Sequence, residues 1–514
     1  MSAAKRMTSN VIPFPGRRPA PRLVPVPPPA PASLWAAFED VALRHPTRRA
    51  IRDADGTLTF AQLHGVATQL ARVLEREAAR DPSRPHIGML GQNGAVHLAT
   101  LLACARAGLA MVPINWRLAE EEWCWIADDA RLAAVVEGFG HRMPERFMLE
   151  RGIGTIGAST WRMLPREPLP GPARGSAEAP VLICYTSGTT GRPKGAVLTQ
   201  AAMLANARNA QSLFGMAEAD RVLTMLPLFH VGGLNIQTLP ALLAGSEIIL
   251  HQKFDAEAFF DCMARDRPSL TLVVPAIMAA LIRHPRWTGA DLSCLRAAGA
   301  GSSDVPVELI EAFHAKGVPV QQVYGSTETA PIAVAQTREE ALAAPGSIGT
   351  AAPFGEAMIA ENGEILVRGP HIMRGYWNND AATREAFTPE GWYRTGDMGR
   401  IDADGRFWFT DRLKHIIISG GENISPAEVE RVLREAPGVA ECAVVGRPDP
   451  RWGEVPVAVV VPGPGFDAEA ALRHFDGRLA RFKHPRAVVV VDSLPRTALG
   501  KVSLPELRRM LEGE

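Results

Sequence analysis

Ten consecutive residues, Thr186-Ser187-Gly188-Thr189-Thr190-Gly191-Arg192-Pro193-Lys194-Gly195, constrain this chain more than any other stretch. They follow an apolar run, Val181-Leu182-Ile183-Cys184-Tyr185, that reads as a buried strand. The ten positions hold three glycines, four hydroxyls and two cations. Glycine lets backbone N–H groups turn toward one point, and the hydroxyls and cations add donors there. Such a loop is a cradle for polyphosphate. It is not a Walker loop, because Lys194 lies three residues after Gly191 and precedes Gly rather than Ser or Thr.

The chain around this loop alternates apolar runs with amphipathic segments from Leu34 to about residue 410, the pattern of α/β layers. Thr59 and Gln62 make a capping box that predicts a helix over about residues 60–77. Residues 87–90 read as a strand entering a turn at Gly91-Gln92-Asn93, and a helix is expected over residues 98–107. The last hundred residues read as a separate α+β unit. There Ser425 and Glu428 offer a capping box with Pro426 at the first helical position. Strands are expected at 443–446, 457–461 and 487–491, a helix at about 467–479, and a terminal helix capped by Ser503 and Glu506. Pro456 is expected just before the second of these strands, where a missing N–H costs little.

Composition narrows the function classes. A chain of 514 residues should hold more than one domain. Zero net charge argues against a general nucleic-acid binder. Six scattered cysteines without C-x-x-C spacing give no metal framework and suit a reducing cytoplasm. No apolar stretch is long enough to span a bilayer, and the N-terminus lacks the apolar core of a secretory signal. Residues 1–32 hold nine prolines, five basic residues and no acid, so disorder or extended polyproline II structure is expected there. Gly152-Ile153-Gly154-Thr155-Ile156-Gly157 fits G-x-G-x-x-G, but charged residues precede it and Pro165, Pro168 and Pro170 follow, so a dinucleotide site is not expected. No G-x-S-x-G or H-E-x-x-H is present to support a serine hydrolase or a zinc peptidase.

Six further motifs follow the loop in order. They are Leu226-Pro227-Leu228-Phe229-His230, Tyr324-Gly325-Ser326-Thr327-Glu328, Tyr393-Arg394-Thr395-Gly396-Asp397, Asp411-Arg412-Leu413-Lys414, Ser419-Gly420-Gly421-Glu422-Asn423-Ile424 and Pro495-Arg496-Thr497-Ala498-Leu499-Gly500-Lys501. Together they resemble the adenylate-forming enzymes, on the acyl-CoA synthetase branch, from about residue 33 to the end. Leu499 stands where the family often has Thr, and Gln200 where it often has His. The resemblance implies a large N-terminal domain of mixed sheets flanked by helices and a small mobile α+β C-terminal domain. The expected division is an extension at 1–32, an adenylation domain at 33–411, a hinge at 412–414 and a mobile domain at 415–514.

It also implies a reaction and a set of roles. The expected substrates are a carboxylic acid, ATP with Mg²⁺, and CoA, which give an acyl-adenylate and then an acyl-CoA. By resemblance Thr186, Ser187, Gly188, Thr189, Thr190, Gly191 and Lys194 hold the β- and γ-phosphates. Thr327 donates to the α-phosphate, Gly325 belongs to the same nucleotide site, and Glu328 holds Mg²⁺. Tyr324 stacks on adenine, Gln322 bonds its edge, and Asp397 with Arg412 takes the ribose. Lys501 reaches the reacting oxygens, and Lys414 is the hinge. Ser419, Gly420, Gly421 and Glu422 form the thiol tunnel, and His230 lies near the acyl carboxylate. The acyl pocket is expected to include His230, Gly232, Asn235, Gly299, Ala300, Gly301, Ala330 and Pro331. These are small, neutral or apolar with no second cation near, which favours a monocarboxylate; fatty and aromatic acids both fit. A ligase that loads a separate carrier protein is the alternative, and a homodimer stays open at this stage.

Overall fold

The computed structural model describes residues 33–186, 192–301, 305–412, 417–495, 502 and 504–512. The expected extension at 1–32 lies outside the described residues.

Two large sheets build the N-terminal part. In the first, the spatial order is Gly375–Tyr376, Lys194–Thr199, Pro180–Thr186, Ala110–Ile114, His86–Leu90, Leu132–Glu137 and Gly154–Ile156. The second has nine strands and runs from Thr350–Ala351 through Val334–Ala335, Val320–Tyr324, Ala297–Gly301 and Leu270–Val273 to Arg221–Thr224, Glu247–Leu250, Arg49–Asp53 and Gly56–Thr59. The helix Ala95–Ala107 contacts strands of both sheets and is buried at every position. Burial on all sides matches its largely apolar sequence, in which His97, Thr100 and Arg106 are the polar exceptions. The helix Phe60–Arg80 begins at Thr59 with the expected capping box, each partner accepting from the other's backbone N–H. A four-stranded antiparallel sheet, Glu356–Ile359, Glu364–Arg368, Tyr393–Ile401 and Phe407–Arg412, completes the large domain.

The small C-terminal domain is built on a five-stranded sheet with its own apolar core around Val429, Leu433, Val444, Ala458 and Phe475. The mixed α/β class with a large and a small domain is therefore as expected. Three local expectations need correction. The helix Pro426–Arg434 starts where expected, but Ser425 makes no side-chain cap and Glu428 turns instead to Lys483. Pro456 lies inside the strand Gly453–Pro462, opposite Gly446, and its carbonyl accepts from Arg486 N. The helix capped by Asp467 is Ala468–Arg473, shorter than expected. Among the described residues no helix is long and apolar enough to cross a membrane.

Candidate active site

Both large sheets send the ends of strands toward one cavity of about 500 Å³. The strand Pro180–Thr186 delivers Tyr185 and Thr186 to its wall. The returning strand starts at Lys194, paired with Thr186. Lys194 Nζ sits 5.3 Å from the centre of the Tyr376 ring. The expected phosphate ligands Ser187, Gly188, Thr189, Thr190 and Gly191 lie outside the described residues.

From the second sheet, the strand Val320–Tyr324 ends at Gly325, whose φ of +157° opens the turn into Thr327–Thr329. A Cβ on Gly325 would lie 1.9 Å from Pro331 O, so no larger residue fits there. Thr327 and Glu328 then face the cavity. Glu328 is 8 % exposed, and its Oε1 accepts from the Tyr376 hydroxyl at 2.8 Å. Burial comes first, and the Glu328 charge second, in pushing the Tyr376 hydroxyl far above the ordinary tyrosine range, so it stays a donor. Tyr376 was absent from the expected residues; a lone Gly-Tyr pair in the sequence carries no periodic or chemical signal.

Asp397 lines the same cavity from the third sheet, with its Cα paired to that of Arg412. Asp397 Oδ2 accepts from the Tyr324 hydroxyl at 2.8 Å, and Gly396 N donates to the buried Glu364 Oε1 at 3.0 Å. The side chain of Arg412 and the whole of Lys414 and Lys501 lie outside the described residues.

The small domain closes the cavity with the hairpin Ile417–Ser419 and Glu422–Ile424. Gly420 and Gly421 turn with φ of +58° and +84°. A Cβ on Gly420 would fall 2.8 Å from the Trp452 ring. The turn brings Glu422 to two groups of the large domain: His230 Nε2 at 3.0 Å and Arg117 Nη1 at 2.6 Å. Burial would raise the Glu422 carboxyl, but the charges of His230 and Arg117 outweigh it and hold the group at about 2. Arg117 in turn lies over Trp116 and Phe229, at 5.2 and 5.7 Å from their centres.

The expected acyl pocket divides. His230, Gly232 and Pro331 line the cavity, with Ile236, Val274 and Ile277 supplying apolar wall. Asn235 lies behind that wall: its Nδ2 donates to Ala330 O at 2.5 Å and to Met203 Sδ at 3.3 Å. Gly299, Ala300, Gly301 and Ala330 are likewise buried in the fold and not on the lining. Gln322 does not reach the cavity either, since its Nε2 donates to Ser347 O at 2.6 Å. The expectation of no second cation also fails: Arg117, Lys253 and Lys483 stand on the lining, the first and third in ion pairs. Asn93 is a further contributor. Its amide holds Leu226 O at 2.9 Å, His251 O at 3.1 Å and Leu228 N at 2.8 Å, which fixes the segment that carries His230.

A single carboxylate beside a phosphate loop suits Mg²⁺, which takes one or two carboxylates together with phosphate oxygens. The described residues contain no cluster of three or more His, Cys, Asp or Glu that would form an all-protein cage. Buried Glu328 at the cavity wall fits that demand.

Residues 38–377 match the AMP-binding enzyme family, and residues 428–501 match the AMP-binding enzyme C-terminal domain. Over 495 residues the chain is 45% identical to an indoleacetate–CoA ligase of Aromatoleum aromaticum, covering 91% of this chain and 96% of that one. A feruloyl-CoA synthase of an Amycolatopsis species is 38% identical, over 90% and 96% of the two chains. The fold is similar to that of o-succinylbenzoate CoA synthetase from Bacillus subtilis bound with a product analogue, with a TM-score of 0.83, 30% identity, and coverage of 93% and 98%.

Proposed function

The chain belongs to the AMP-binding enzyme family and is an AMP-forming acid–CoA ligase; we propose that its acid is an aromatic or aryl-alkyl monocarboxylate. The observation that carries this reading is the junction of three parts in one cavity: Thr327 and Glu328, the apolar wall of Ile236, Val274 and Ile277, and the small-domain loop at Glu422. Two relatives are named for ligation of indoleacetate and for feruloyl-CoA synthesis, which supports an aromatic acid over a fatty one. Two of the three lining cations, Arg117 and Lys483, are already neutralised by protein carboxylates, so neither of these two calls for a second carboxylate on the substrate.

The chemistry has two steps. A carboxylate oxygen attacks the α-phosphorus of ATP, and pyrophosphate leaves. The CoA sulfur, after losing its proton, then attacks the carbonyl carbon of the mixed anhydride, and AMP leaves. Positioning and charge stabilisation do most of this work. In the first step Lys194 and the loop at 187–191 hold the β- and γ-phosphates, Thr327 donates to the α-phosphate, and Lys501 meets the reacting oxygens. Glu328 would hold Mg²⁺, which supplies charge neutralisation on the phosphate oxygens. Asp397 and Arg412 take the ribose, and Tyr324 takes the adenine face. A swing about Lys414 then brings in Ser419–Glu422 for the second step. The described arrangement, with Glu422 between His230 and Arg117, fits that second state. Six free cysteines support a reducing, cytoplasmic setting. Every residue invoked comes from one chain, so the reading needs no second subunit.

The test is pyrophosphate release and thioester formation across a panel of aryl-acetic, cinnamic, benzoic and medium-chain fatty acids, with and without CoA. CoA-dependent turnover greatest with an aromatic acid is expected. Preference for fatty acids would overturn the substrate class, and adenylate without thioester would favour a carrier-loading enzyme.

A further inference from the structure

Lys483 is buried between carboxylates of two domains. It is the last residue of the short turn Arg481–Lys483 and is 4 % exposed. Its Nζ donates to Glu428 Oε1 of its own domain at 3.0 Å and to Glu122 Oε1 of the large domain at 2.8 Å. Neither ATP chemistry nor thioester chemistry calls for this group. An ammonium taken out of water costs several kcal/mol in effective terms. A buried ion pair therefore contributes little net stability, and its best-attested use is to select one arrangement over others.

The large-domain side is a rigid presenter. Asn115 Oδ1 accepts from Arg117 N at 2.9 Å, and Glu122 Oε2 accepts from Ala119 N at 3.0 Å, so both turns of the segment 115–122 are tied to their own backbone. From this segment Arg117 points to Glu422 and Glu122 points to Lys483. The small domain thus presents an anion and a cation, and the large domain presents their complements in matching order. A shifted or reversed docking would set Arg117 near Lys483, or Glu122 near Glu422, and like charges brought together without water are costly.

We propose that Glu122 and Lys483 are positioning residues that lock the small domain in the thioester-forming orientation, acting together with the Arg117–Glu422 pair. The proposal rests on the two-step ligase reading. When the small domain turns away, Lys483 keeps Glu428 and loses only Glu122, so the pair across the domains is the part that discriminates orientations. Glu122 is not on the cavity lining, so its removal is expected to act on the second step.

The experiment measures both half-reactions in Glu122→Ala and Glu122→Gln. Single-turnover thioester formation from preformed acyl-adenylate is expected to fall about tenfold or more in Glu122→Ala. Carboxylate-dependent pyrophosphate exchange should stay within about twofold, as expected for an interaction absent from that step. Glu122→Gln keeps one acceptor oxygen, which serves Ala119 N or Lys483 but turns an NH2 toward the other, and is expected to recover part of the loss. Hydrogen exchange at residues 115–122 and 480–484 supplies a readout independent of activity: protection of both segments should fall together in Glu122→Ala. Equal loss in both half-reactions, or no loss in either, would overturn the proposal. A wild-type chain that makes no thioester, yet shows the coupled protection, would instead sink the ligase reading and leave the lock standing.

Discussion

The Tyr376 hydroxyl donates to Glu328 Oε1 at 2.8 Å while the same ring lies beneath Lys194 Nζ at 5.3 Å. One side chain therefore touches both the residue proposed to hold the metal and the cation proposed to hold the β- and γ-phosphates. Tyr376→Phe keeps the ring and removes the donor from a buried carboxylate, a change that costs about 1–3 kcal/mol. The expected result is a roughly tenfold rise in KM for Mg·ATP, with thioester formation from supplied acyl-adenylate unchanged. Manganese binding in the presence of a non-hydrolysable ATP analogue should weaken in parallel. Equal damage to both half-reactions would mean that Tyr376 is only structural.

Glu422 gives a second prediction. Its carboxyl is held at about 2, below the ordinary 4.5, so its contribution to docking is complete above about pH 4.5 and is lost as pH falls toward 2. Across the neutral range the ion pair persists, and Glu422→Gln should remove it at every pH. Thioester formation is expected to drop by about tenfold, while pyrophosphate exchange is spared. A variant with normal thioester rates would show that the loop docks without this charge.

Asn235 separates pocket from scaffold. Because its amide ties Ala330 O and Met203 Sδ behind the wall, Asn235→Ala should cost about 1–3 kcal/mol of stability. KM for the acid should stay within about twofold. Thermal unfolding and steady-state kinetics on the same preparation check both halves. An altered acid preference with unchanged stability would return Asn235 to the substrate wall.

His371 predicts acid lability. Among the described residues neither buried ring nitrogen has a partner, and burial lowers its pKa from 6.5 to about 4. Below pH 6.5 the unfolded chain takes up a proton that the folded chain refuses, so stability falls as pH drops from 6.5 toward 4. In His371→Leu the drop in melting temperature between pH 7 and pH 5 should shrink relative to the parent. An unchanged drop would assign the acid sensitivity to other groups.

Residues whose roles depend on local order were legible from sequence. The cap at Thr59 is set by short-range chemistry and occurs as read. The cap at Ser425 was misread because Glu428 met a stronger partner, Lys483, more than fifty residues away. A local rule cannot weigh a distant ammonium. Gln322 and Asn235 were misplaced for a related reason: the side-chain NH2 of each donates to a distant backbone carbonyl, Ser347 O and Ala330 O, a pairing no local rule shows.

The sequence by itself determined the alternation of strands and helices, the helix start at Thr59, and the assignment to an adenylate-forming family. Those follow from backbone freedom and side-chain type within a few positions. Tertiary structure alone decided which residues line the cavity, that Tyr376 joins Glu328 to Lys194, and that Glu422 and Lys483 meet complementary charges on the other domain. These contacts join residues 48 to 361 positions apart. Their energies depend on burial and distance, which arise only when the sheets and the two domains have closed around the cavity.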